Sequence, residues 1–167
     1  MKNKLHFVLI LIFMPMINGE NFGIVVHGGA GVMSTLTQDQ QDAIKLKVSE
    51  TLMSSYKILK NGGSSLDAVE FAVSEFEDSP LFNAGKGSVY TSNETQEMDA
   101  SIMFGLDRSS GAVASVKIIK NPIRLARKVL EETNHIFLVG DGAESFAKNI
   151  GVDVVEPNYF YSEKNLK

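Results

Sequence analysis

Cysteine is absent from this 167-residue chain, which excludes disulfide staples, thiolate zinc ligands and a cysteine nucleophile. Tryptophan is also absent, and aromatic residues make up 8% of the sequence. That leaves little for the base-stacking platforms used to bind single-stranded nucleic acid. Basic residues number 16 against 20 acidic ones, a formal charge of −4, so a basic footprint for phosphate backbones is missing and no nucleic-acid partner is expected. Histidine occurs only at His6, His27 and His135, none with a second ligand at helical or hairpin spacing. The sequence also lacks a Gly-x-Ser-x-Gly elbow, and Gly28-Gly29-Ala30-Gly31 lacks the Lys-Ser/Thr that would complete a phosphate loop. What remains is 44% hydrophobic and 22% charged, the balance of an ordinary folded domain.

The first residues read as a secretory signal, residues 1–19. Lys2 and Lys4 form a positive head, Leu5 to Ile17 is apolar apart from His6 and Pro15, and Asn18-Gly19 follow. This run is too short for a membrane span, which needs about 20 residues. Residues 20–167 then form the folded portion. The expected location is secreted, periplasmic or in the secretory lumen, with no membrane attachment after signal removal.

Periodicity predicts the elements. Gly23 to His27 is a β-branched run entering a glycine loop. Thr37 and Gln40 have capping-box spacing and open a helix with Ile44, Val48, Leu52, Tyr56 and Leu59 in its stripe. Asn61-Gly62-Gly63 stops it. A second helix starts at Ser64 or Ser65, carries Leu66, Val69 and Val73, and ends before Pro80. Ser88–Thr91, Met98–Phe104 and Ala112–Ile118 read as antiparallel meander strands. Asn121-Pro122 opens another helix, followed by a strand at Ile136–Val139 and a helix at Gly142–Ile150. The order β-α-α-β-β-β-α-β-α indicates an α+β layered sandwich.

Two segments carry candidate chemistry. His27-Gly28-Gly29-Ala30-Gly31 allows close backbone approach to a ligand or another segment. Leu81-Phe82-Asn83-Ala84-Gly85-Lys86-Gly87-Ser88 presents Asn83, both donor and acceptor, in a loop between a helix and a strand. On residue types alone, each also fits a tight structural turn. Glu77-Asp78 likewise fits an ordinary acidic helix end. Asn93-Glu94-Thr95 is a glycosylation sequon.

Six segments in order resemble the plant-type L-asparaginase and isoaspartyl peptidase family of N-terminal-nucleophile hydrolases. They are His27–Gly31, Asn61–Val69, Pro80–Ser88, Met98–Met103, Lys120–Ala126 and Gly140–Glu144. The resemblance implies an αββα sandwich made as one precursor and cut into α and β chains, of which this sequence resembles the N-terminal α portion. It implies amide hydrolysis of L-asparagine or β-aspartyl dipeptides by a threonine at the new N-terminus, whose own α-amine serves as base. Asn83 matches the asparagine that orients this nucleophile. The backbone carbonyls of Phe76, Glu77, Ser79, Phe82, Ala84 and Lys86 match a structural sodium site. Backbone oxygens suit such a hard cation, and no cofactor is implied for catalysis. The implied partner is a β chain of the same precursor, in a dimer of heterodimers.

Two departures qualify the match. Phe104 stands where the family usually has aspartate. None of Thr35, Thr37, Thr51, Thr91, Thr95 or Thr133 precedes Val-Gly, the family's cleavage signature. The chain alone is therefore expected to be inactive, with unpaired sheet edges prone to association. The related glycosylasparaginases and a non-catalytic, drifted family member are the alternative readings.

Overall fold

The computed structural model describes residues 21–29, 31 and 33–162; the expected secretory signal lies outside the described residues. Helix α1, Gln38–Lys60, opens as its sequence dictates. Thr37 Oγ1 accepts from the Gln40 amide at 3.3 Å, and Gln40 Oε1 accepts from the Thr37 amide at 3.0 Å, so two otherwise orphaned donors are satisfied reciprocally. Gly62 ends the helix at φ +86°, a conformation that costs glycine nothing. Helix α2, Ser65–Glu77, repeats the capping device with Ser64 and Asp67.

Strand β1, Met98–Met103, pairs antiparallel with β2, Ser110–Val116. Helix α3, Pro122–Glu132, returns the chain to β3, Phe137–Val139, which lies parallel to β2. Helix α4, Gly140–Ile150, follows directly. The sheet order is β1-β2-β3: the expected antiparallel pairing of the Met98 and Ala112 strands is present as the β1–β2 hairpin, and β3 joins it by a parallel crossover.

One sheet face is the core. Met98, Ile102, Val113 and Val116 are buried against Ile123, Leu125, Ala126 and Val129 of α3 and Ala143 and Ala147 of α4. At Gly111 the backbones of β2 and α3 touch, and a Cβ there would collide with the Ala126 carbonyl and the Leu130 amide. The register places Ser101, Ala112 and Phe137 together on the opposite face, with Met103, Ala114 and Val139. No layer covers this face among the described residues, where Met103, Phe137 and Val139 are each more than half exposed.

Two expected strands are absent. Gly23–His27 has no regular structure and Val25 is 94% exposed. Its β-branched composition favours a pleated surface, but no neighbouring strand pairs with it among the described residues. Ser88–Thr91 is also outside the sheet. There the Gln96 side-chain Nε2 donates to the Ser88 carbonyl at 2.8 Å, and the Thr91 N–H donates to the Thr95 carbonyl at 2.8 Å, so local contacts use groups a ladder would need. The stripe of α1 differs too. Its fully buried positions are Thr51 and Ser55, while the apolar residues are only half-buried. On α2, Val69 is turned largely outward and Ala68, Ala72 and Phe76 face the interior.

Candidate functional site

Helix α2 ends at Glu77, and the chain reverses through Pro80 into the loop bearing Asn83. The Phe76 and Phe82 rings lie 4.4 Å apart and close the base of this reversal. Gly85 has φ +50°, and a Cβ there would overlap the Glu77 carbonyl. A Cβ at Gly87 would overlap the Phe82 carbonyl. Main chain therefore packs on main chain, which is the physical reason for glycine at both positions. Within this loop the carbonyl of Phe76 accepts from the Ser79 amide, that of Phe82 from Ala84, and that of Ala84 from Gly87. Lys86 Nζ sits 4.7 Å from the centre of the Tyr159 ring, adding a cation–π contact on the outside.

The Asn83 side chain is exposed yet fixed, because its Oδ1 accepts the Val89 amide at 3.0 Å. It stands between two clefts. One, of about 250 Å³, is polar and lined by Glu77, Ser88, Glu97 and Asp99. The other, of about 610 Å³, is lined by Gly28, Gly29, Gly31, Val48, Leu81 and Phe82. A Cβ on Gly28 would approach the Phe82 ring to 3.1 Å. The fold thus brings the two motifs singled out in the sequence to one place. His27 contributes locally, with Nδ1 accepting the Gly29 amide at 3.2 Å.

Glu77 is not an ordinary acidic helix end. It is 3% exposed, with Oε1 accepting the Ile123 amide at 2.9 Å and Oε2 lacking a partner. Burial pushes its carboxyl up to about 8, against the hydrogen bond from the Ile123 amide. Asn121 occupies the expected N-cap position of α3 but makes no capping bond; its Nδ2 donates to Asp78 Oδ1 at 3.3 Å. A sequence signal for Glu77 does exist. A carboxylate at a helix C-terminus opposes the helix dipole, so two in succession there require another explanation.

A second feature escaped the sequence reading. Asp99 Oδ1 accepts the Ser115 amide at 2.9 Å where the β1–β2 register shifts, and Ser115 adopts φ +52°. This bulge places Asp99 between the polar cleft and the open sheet face. Phe104, the anomalous residue, closes the hairpin by donating its amide to the Ser109 carbonyl at 2.8 Å and packs against the core. Asn93 of the sequon is exposed in the Thr91–Thr95 turn.

A family model described as Asparaginase matches residues 20–167. The chain belongs to the asparaginase family. An isoaspartyl peptidase/L-asparaginase of Mus musculus is 46% identical over 144 residues, covering 86% of this chain and 44% of its own length. Its Homo sapiens counterpart is 45% identical, with 86% and 46% covered. A plant-type L-asparaginase of Thermococcus kodakarensis is 44% identical, with 86% and 45% covered. This asparaginase-family chain therefore spans less than half the length of these relatives. Among the described residues no helix is long and apolar enough to cross a membrane.

Proposed function

We propose that this chain is the α portion of an amide hydrolase acting on L-asparagine, β-aspartyl dipeptides or both, with a threonine nucleophile supplied by a β portion. The observation that carries the reading is Asn83, held by the Val89 amide where the glycine segment and the polar cleft meet. In this reaction Asn83 orients the threonine hydroxyl. That oxygen attacks the amide carbon, the threonine α-amine takes its proton, ammonia or the amine departs, and water then releases the acyl group.

The uncovered sheet face supports the half-sandwich reading, since an αββα arrangement stacks a second sheet there. The open face carries Met103, Phe137 and Val139, side chains suited to such a layer. We assign the same precursor as the source of the β portion, and a dimer of the cut heterodimers as the assembly. Export through the N-terminal signal belongs to this reading.

The loop from Phe76 to Lys86 suits a structural sodium ion. Its donors are carbonyl oxygens, which suit a hard cation, and those of Phe82 and Ala84, each accepting one amide, retain a lone pair for it. The seating of Gly85 and Gly87 on the Glu77 and Phe82 carbonyls leaves room for no side chain at those two positions. Sodium, when bound, offsets the repulsion among carbonyl dipoles; the chemistry itself needs no cofactor.

The test is turnover by this chain assembled with a threonine-bearing β portion. Release of ammonia and aspartate from L-asparagine, or of aspartate from a β-aspartyl dipeptide, is expected. A processed assembly that hydrolyses neither substrate contradicts the proposal.

A further inference from the structure

We infer that Glu77 is a positioning residue: its side chain locks the Asn83 loop onto the start of α3. Stability alone is a poor reason for its placement. A buried carboxyl group with one oxygen unpartnered costs more than an apolar side chain of similar volume.

The placement is explained by what Glu77 connects. Its Oε1 takes the Ile123 amide, one of the donors left open in the first turn of α3. Asn121, which could cap that turn itself, reaches instead to Asp78. The end of α2 and the start of α3 are therefore cross-linked twice, by Glu77 to Ile123 and by Asp78 to Asn121. Helix α3 is a firm anchor, because Leu125, Ala126 and Val129 are fully buried.

On its other side the main chain of Glu77 is the seat of Gly85, where no Cβ fits. Gly85 is two residues from Asn83, and both line the polar cleft together with Glu77 and Pro122. A rigid path thus runs from α3 through the Glu77 side chain and main chain to Gly85, and then to the Asn83–Val89 hydrogen bond. Removing the carboxyl group frees the first link without touching any atom of Asn83.

The kinetic consequence rests on the amide-hydrolase reading, but the geometric consequence does not. The experiment uses the full assembly and compares Glu77→Leu with Glu77→Gln, which keeps the acceptor for Ile123. The readouts are Tm, hydrogen exchange at the Val89 amide, and kcat and KM for L-asparagine. In E77L we expect an unchanged or higher Tm, with Val89 exchange faster and kcat lower by roughly tenfold or more while KM stays within about twofold. In E77Q most of both losses is recovered.

Unchanged Val89 protection in E77L overturns the inference, as does a kcat loss that merely follows a fall in Tm and is not recovered by glutamine. If the wild-type assembly hydrolyses neither L-asparagine nor a β-aspartyl dipeptide, the amide-hydrolase reading fails. Val89 exchange then still decides the positioning role.

Discussion

Glu77 has a consequence for stability that follows from its burial. Its ordinary carboxyl value is 4.5, and in the folded protein it is raised to about 8. Below pH 4.5 both folded and unfolded chains hold the proton. Between those values the unfolded chain releases it and the folded chain does not, so stability falls as pH rises through the window. Urea midpoints measured from pH 5 to 8 should decline in the wild type and flatten in Glu77→Gln. Gly85 is the other sensitive position, combining positive φ with contact against a carbonyl. Gly85→Ala should lower stability by about 2 kcal/mol or more in denaturant titration. The position of Asn83 in a glycine-bracketed loop was legible from residue types, but its bond to Val89 was not, because a six-residue reach depends on how the loop closes.

At the scale of elements, local chemistry set the helix starts. Thr37 with Gln40 is a capping box read from the sequence and present in the fold, and the structure adds a second one at Ser64 with Asp67. Thr37→Ala should cost about 1 kcal/mol by thermal or urea unfolding. Asp67 is also held down to about 2 by its hydrogen bonds to Ser64 and by Arg127; this contribution is present above pH 3.8 and is lost as pH falls toward 2. The failures have a common cause. Gly23–His27 and Ser88–Thr91 have residues that suit strands, but a strand requires a ladder partner and propensity cannot supply one. The strand at Phe137–Val139 was legible, but its parallel pairing with β2 was not, since periodicity does not encode direction. Gly111 was not recognised as a contact, because only the packed structure brings α3 onto it. Gly111→Ala should cost about 1–3 kcal/mol by overpacking, read as a loss of urea midpoint.

For the whole molecule, the exposed sheet face connects the fold to the proposed function. The sequence resemblance implies a half-sandwich; the structure has helices and a three-stranded sheet covered on one side and bare on the other among the described residues, which is compatible with a partial domain. The bare side lies beside Asp99, which also lines the Asn83 cleft, so a second layer would arrive next to the site. In the proposed function this chain provides the Asn83 loop and the β portion provides the nucleophile. Ammonia release from L-asparagine by residues 20–167, alone and after addition of a threonine-bearing β portion, tests it most directly. No turnover is expected from residues 20–167 alone and clear turnover when the two are assembled; hydrolysis by residues 20–167 alone would overturn this division of roles.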